Sequence, residues 1–322
     1  MLFELCCSSA LAGSVSGRLD CRMNDFFNPA TAPSNGDAAA QNFAELLSFA
    51  LSRGVPRADL PATAPTFDRR VHLDGNFNFR DAGGYTGAEG RQLRRHMVFR
   101  SDHLADLTDI DLRRVSELGL RVVHDFRLSS ERLRQPSRLA MSSNAPVVVH
   151  LATSDVVGID ATVVDVIRDM LAGLRPLPEA TFWETHYLEM IDLGQPMLVG
   201  FIRSIATPGR LPSLHHCTGG KDRTGISTAL LHRLLGVSDA DILDDFLLTN
   251  LYRTPLRVDA LRADMTKRGI DVVKAIPILG VTCEPLLKVL RHWDANGGAE
   301  AYALDGGATP AELAYLRAAL LE

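Results

Sequence analysis

Cysteine is scarce in this chain: five in 322 residues, and three of them, Cys6, Cys7 and Cys21, fall within the first 21. Such irregular spacing suggests neither a disulfide framework nor a zinc ribbon, and it points to a reducing compartment, with cytoplasmic as the expected location and secretion without a clear signal peptide as the alternative. An excess of positive charge is also missing. There are 34 basic against 39 acidic residues, a net charge of −5, which argues against a nucleic-acid partner. Long apolar runs are absent: none approaches the roughly 20 residues that cross a bilayer, so no transmembrane segment is expected. The N-terminus lacks the positive leader of a secretory signal. Glu4 precedes the apolar patch around Leu11, and the first basic residue is Arg18.

What is present is enough apolar sequence, 46% of residues, to bury a sizeable core. Residues 1–66 read as an N-terminal extension, with 28–40 a Pro-, Gly- and Ala-rich linker. Within it, 41–53 has helical spacing of Phe43, Leu46, Leu47 and Leu51. Pro56, Pro61 and Pro65 then break the chain, and one compact domain is expected over 67–322. Short β-like runs fall at 97–99, 121–126 and 146–151, the last two valine-rich as buried strands tend to be. Between the first two, 107–118 has helical periodicity, with Thr108 and Asp111 placed as N-cap and N3 acid. Alternating strands and helices predict an α/β layer fold.

From 161 to 206 the pattern turns helical. Val163, Val166, Ile167, Met170 and Leu171 share one face. Phe182, Trp183, Tyr187 and Met190 form a second stripe, read as core packing rather than ligand contact, and Gly194 and Pro196 separate a third helix. Further on, 226–235 is apolar and ends at Gly236, a C′ residue. Ser238 with Asp241 and Thr309 with Glu312 mark two later helix starts. The C-terminal third is therefore expected to be helical.

One run carries chemistry: His216-Cys217-Thr218-Gly219-Gly220-Lys221-Asp222-Arg223-Thr224-Gly225. Cys217 stands before a glycine-rich loop and an apolar helix, where orphan N–H groups and the macrodipole favour a thiolate over a thiol of ordinary pKa about 8.5. Gly219 and Gly220 let successive N–H groups turn inward as an anion nest, flanked by Thr218. Lys221 adds charge. Arg223 supplies a planar fork for two phosphate oxygens, and Thr224 a hydroxyl for a departing thiolate. The other four cysteines have Ala12, Gly13, Phe27 and Val289 where Cys217 has Arg223. A nucleotide-binding loop is excluded, because His215 stands where its first glycine belongs and Asp222 where its hydroxyl belongs. A metal site on His215, His216 and Cys217 lacks a second ligand cluster, so these histidines read as structural and no cofactor is expected.

These residues resemble the phosphate loop of the protein-tyrosine phosphatase superfamily. The Lys-Asp-Arg form is similar to the bacterial atypical, dual-specificity-like tyrosine and lipid phosphatases. Asn78-Phe79-Arg80-Asp81-Ala82-Gly83-Gly84-Tyr85, Phe99-Arg100-Ser101, Asp125-Phe126-Arg127 with Glu131, and the run from Asp244 to Asn250 are similar to further segments of that family. The resemblance covers residues 70–322. It implies a central twisted, mostly parallel sheet flanked by helices, with the loop between a strand at 213–216 and a helix. It also implies a helical lid, for which 161–206 is the candidate.

The implied activity is a metal-free phosphatase acting on phosphotyrosine, with phosphoserine, phosphothreonine and phosphoinositides as wider substrates. Cys217 is the expected nucleophile and Arg223 the phosphate ligand. No Trp-Pro-Asp triplet supplies the acid. Asp222 resembles the acid proposed for this group, and Asp125 is the alternative, whose structural role would be a salt bridge to Arg127 or Arg100. Arg80, Arg100 and Arg127 either enlarge a basic pocket or pair with acids such as Asp81 and Glu131. A phosphate-binding module without turnover and a rhodanese-like sulfur carrier are the competing readings.

Overall fold

The computed structural model describes residues 35–139, 145–152, 166–167 and 169–322. Its centre is a five-stranded sheet in the order β1 (Arg80–Asp81), β2 (Val98–Ser101), β5 (Ser213–His216), β3 (Val122–Asp125) and β4 (Val147–His150). Only β1 runs antiparallel to its neighbour. The α/β layer fold expected from the alternation and the mostly parallel sheet that the resemblance implies are therefore present.

The strands sort their side chains by the two-residue period. Phe99, Leu214 and Val123 are register partners across β2, β5 and β3. They pack with Val115 of helix α2 (Asp109–Ser116) in one core layer. Arg100, His215 and His124 form the next register row, on the opposite face. That face is covered by α5 (Gln195–Ile205) and α6 (Asp222–Leu234), whose buried residues join the main core. Helix α2 starts with the expected capping box: Thr108 Oγ1 accepts from the Asp111 amide, and Asp111 accepts from the Thr108 amide.

One strand expectation changes. β4 holds the third valine run, yet Val147 is 57% exposed because β4 is a sheet edge. β5, the strand that the resemblance implies at 213–216, is present, central and wholly buried, although it reads Ser-Leu-His-His. Its polarity is absorbed locally: His215 Nε2 lies 2.8 Å from Thr228 Oγ1, and the ring packs on Phe201.

The N-terminal helix α1 begins earlier than expected, at Asn35 inside the supposed linker, and runs to Ser52. Its inward stripe is the half-buried Phe43, Leu46 and Leu47 with the buried Ala50; Leu51 points outward, 44% exposed. That stripe packs on Leu248, Leu251 and Tyr252. These belong to the segment containing α7 (Asp239–Leu247) and α8 (Thr249–Tyr252). Farther along, the Ala62 and Thr63 amides donate to the Asp244 carboxylate.

Helix α3 (Ser129–Arg134) follows β3, and α4 (Ala180–Leu193) precedes α5. Helices α4 and α5, in the segment expected to cover the site, are core elements. Tyr187, Ile191, Leu198, Phe201 and Ile202 are all buried. Val163 of the preceding stripe lies outside the described residues. The C-terminal third is helical: α9 (Thr254–Lys267), α10 (Ile276–Leu279), α11 (Cys283–Ala295), α12 (Gly298–Asp305) and α13 (Pro310–Leu320). The expected stops and starts hold. Gly236 has φ +77°, Ser238 caps α7, and Thr309 closes a capping box with Glu312. No described helix is long and apolar enough to cross a membrane.

Candidate active site

The 217–223 loop leaves the carboxyl end of β5, between the ends of β2 and β3. This is the crevice where open α/β sheets bind ligands. Its shape follows from what ties its carbonyls down. The Thr218 carbonyl accepts from the His103 amide at 3.1 Å. Those of Gly219 and Gly220 accept from Asn78 Nδ2 at 3.2 and 3.1 Å. Arg100 Nη2 adds a second bond to Gly220 at 3.0 Å. In a trans peptide the N–H of the next residue points the opposite way. Three carbonyls fixed to the scaffold therefore turn the N–H groups of Gly219, Gly220 and Lys221 toward the other side. There they meet the orphan N–H groups of Asp222, Arg223 and Thr224 at the start of α6. Together they form an anion cradle.

Gly220 is required by this geometry. Its φ is +63°, and a Cβ there would sit 2.4 Å from the Ser101 carbonyl oxygen. Gly220→Ala is expected to displace the loop. It should lower kcat/KM toward an aryl phosphate by about 10²-fold while costing about 1–3 kcal/mol of stability. Steady-state kinetics with a thermal melt would separate these effects, and an unchanged kcat/KM would contradict the cradle.

Cys217 is buried at the root of the loop. His216 does not reach the thiol: its Nδ1 lies 3.2 Å from the Cys217 carbonyl. Burial pushes its pKa down to about 4, so near neutrality it is uncharged and Nδ1–H is the donor. The Thr224 hydroxyl is buried without a hydrogen-bond partner among the described residues.

Arg223 is held edge-on by Glu131. Its Nη1 and Nη2 each lie 2.9 Å from a different Glu131 oxygen, and Nη1 also donates to the Phe126 carbonyl at 2.9 Å. Thr218 Oγ1 donates to the same carboxylate. Although burial opposes ionisation, Arg223 and these bonds bring Glu131 down to about 2. That depressed value stabilises the fold above the ordinary carboxylate range, and the stabilisation fades as pH falls toward 2. Glu131, expected among the partners of Arg80, Arg100 and Arg127, pairs with Arg223 instead.

The remaining cations are already committed. Arg80 and Arg100 pair with Asp245, not Asp81: Arg100 Nη1 lies 2.6 Å from Asp245 Oδ2 and Arg80 Nε 3.4 Å from Oδ1. Asp81 instead accepts the Gly83 and His96 amides at 2.8 Å. Arg127 pairs with Asp125 through two bonds of 2.9 and 2.8 Å. None of the three arginines enlarges the pocket. Asp125 is buried, and His216 and Arg127 bring it down to about 2 against the effect of burial. It is held as a structural carboxylate.

Lys221 and Asp222 complete the loop. The Lys221 ammonium donates to the carbonyls of Ile278 and Gly280 at 2.7 and 2.8 Å, and lies 3.5 Å from Asp222 Oδ2. Burial lowers its pKa. Asp222 accepts a 2.6 Å hydrogen bond from the Tyr187 hydroxyl. Trp183, one turn earlier on α4, places its ring 5.1 Å from Lys221 Nζ. The aromatic stripe is therefore core packing, as expected, but two of its members also touch the loop.

Residues 71–322 match the model of the tyrosine phosphatase family. A Cupriavidus necator protein named as a tyrosine-protein phosphatase is 32% identical over 245 residues, 76% of this chain and 85% of its own. The triple specificity protein phosphatase PtpB of Mycobacterium tuberculosis is 28% identical over 283 residues, 77% of this chain and 98% of its own. A tyrosine-protein phosphatase of Nostoc commune is 29% identical over 153 residues, 48% of each chain. With cysteine, cradle and arginine fork on one loop and a family match across most of its length, this chain belongs to the tyrosine phosphatase family.

Proposed function

We propose that this tyrosine phosphatase hydrolyses phosphotyrosine in two displacements through a cysteinyl-phosphate. In the first, the Cys217 thiolate attacks phosphorus in line, forming the S–P bond as the P–O bond to the leaving group breaks. The inward N–H groups and the Arg223 fork hold the equatorial oxygens, whose charge they stabilise most in the transition state. Asp222 gives its proton to the leaving oxygen. In the second, water attacks phosphorus, Asp222 takes a proton from it, and the thiolate departs toward the Thr224 hydroxyl. The observation that carries this reading is the fixing of the Thr218, Gly219 and Gly220 carbonyls to the scaffold. A cradle built this firmly around a cysteine has the form that transition-state charge requires.

Asp222 is the better acid of the two candidates. Its carboxylate is 21% exposed beside the loop, whereas Asp125 is buried against Arg127. Asp222→Asn is expected to remove the basic limb of the kcat/KM profile and to slow aryl phosphates with poor leaving groups by about 10²–10³-fold. An intact basic limb would overturn the assignment. Activity toward phosphoserine and phosphothreonine is a wider reading favoured by the likeness to the triple specificity protein phosphatase PtpB, while activity toward phosphoinositides rests on the resemblance of the loop alone. Lys221 adds little support to it, since its ammonium already bonds two carbonyls. Hydrolysis of an aryl phosphate in EDTA, blocked by vanadate, would separate this reading from a phosphate-binding module and from a sulfur carrier.

A further inference from the structure

We infer that Tyr187 is the positioning residue of the acid: its hydroxyl holds Asp222 Oδ1 and fixes the orientation of the carboxyl, whose Oδ2 lies 3.5 Å from the Lys221 ammonium. The inference rests on Asp222 being the acid. The Tyr187 hydroxyl lies 2.6 Å from Oδ1, the length of a charge-assisted O–H···O⁻ bond. Tyr187 is itself immobilised. It is buried among the residues of the main core, with its ring edge-on to Phe246. Burial and the neighbouring Asp222 push its own ionisation well above the usual tyrosine value, so the hydroxyl remains a donor throughout the working pH range.

The arrangement is a two-point clamp. On α4, Trp183 and Tyr187 are one turn apart; the first meets Lys221 and the second Asp222. Asp222 is the first residue of α6, and its carboxylate keeps 21% exposure beside Lys221. General-acid catalysis demands that the proton reach one oxygen of the leaving group, so a free carboxyl would lose rate through misorientation. The groups acting electrostatically on this pair are Lys221 and Cys217 from the loop, Arg100 from β2 and, through Lys221, Arg253 at the start of α9; His186 flanks Tyr187 on α4. Removing the tyrosine hydroxyl leaves all of them in place.

Tyr187→Phe keeps the ring and deletes the donor to Asp222. In this variant kcat for a phenyl phosphate with a poor leaving group should fall by about 10-fold, while that for a nitrophenyl or similarly activated ester falls by less than about 2-fold. A merely structural tyrosine would lower both substrates equally, and that result would overturn the inference. Asp222→Asn, measured in parallel, separates the two levels. If it slows the poor leaving group selectively while Tyr187→Phe does not, Asp222 is the acid and Tyr187 is not its positioner. If Asp222→Asn shows no such selectivity, the acid assignment falls, and this inference falls with it.

Discussion

Cys217→Ser is expected to reduce aryl phosphate turnover by at least about 10⁴-fold while leaving the fold and phosphate binding in place. The side chain is buried at the root of the cradle, and a hydroxyl replaces the thiol with little change in volume. A serine hydroxyl has neither the acidity nor the polarisability of a thiol, and it stays far from ionisation at neutral pH. The inward N–H groups and the Arg223 fork, fixed by Glu131, are untouched, so vanadate or a phosphotyrosine peptide should still bind. Two measurements make the prediction decisive. Isothermal titration with a phosphopeptide should give an affinity within a few-fold of wild type, and rapid quench of wild-type enzyme should trap a phosphorylated cysteine that the variant lacks. Turnover persisting in the variant would remove the covalent mechanism and leave the cradle as a site for attack by water alone.

Much of this site could be read from the chain because its parts are local. Cysteine, glycines, cations and arginine lie within seven residues, and a nest plus helix N-terminus is a property of one continuous segment. The helix caps at Thr108, Ser238 and Thr309 were legible for the same reason: each is a bond between residues three apart. What escaped depends on tertiary contact. β5 reads Ser-Leu-His-His, and nothing local says that His215 will find Thr228 or that this strand will be central. A valine run cannot distinguish the interior β3 from the edge β4, because strand propensity reports a pleated surface and not its depth.

Pairing was hidden most deeply. Asn78, Glu131 and Tyr187 act on the loop from 141, 92 and 35 residues away in sequence. The Asn-x-Arg-Asp segment was recognisable as a motif, but its physical meaning appears only in three dimensions. Asn78 clamps two loop carbonyls, Arg80 finds Asp245, and Asp81 caps two backbone amides. Tyr187 carried one available signal, its place in an aromatic stripe beside Trp183, and core packing explained that stripe just as well.

The buried Arg80–Asp245–Arg100 cluster yields the largest expected effect on stability. All three side chains are at most 1% exposed. Removing one member of a buried ion cluster leaves the others charged and uncompensated, at a cost of about 3–5 kcal/mol. That is a large fraction of the roughly 5–15 kcal/mol that holds an ordinary domain together. Asp245→Ala is therefore expected either to fail to accumulate or to melt far below wild type. Asp245→Asn, which keeps an acceptor oxygen, should lose less. The penalty has a pH signature. The two arginines hold the Asp245 carboxyl well below the ordinary carboxylate range, against its complete burial. A depressed value of this kind contributes stability that is present in full above about pH 4 and is lost as pH falls toward the folded-state value. Denaturant titrations should thus show the gap between wild type and Asp245→Asn constant from pH 8 to 5 and narrowing below pH 4; a gap that widens on acidification would contradict the cluster's role. The damage should also reach the active site. Arg100 holds the Gly220 carbonyl with one arm and Asp245 with the other, so the arm on the loop loses its anchor when the carboxylate goes. At temperatures where Asp245→Asn is still folded, kcat/KM should fall with little change in the pH limits, because the cradle loosens while Cys217, Asp222 and Arg223 all remain.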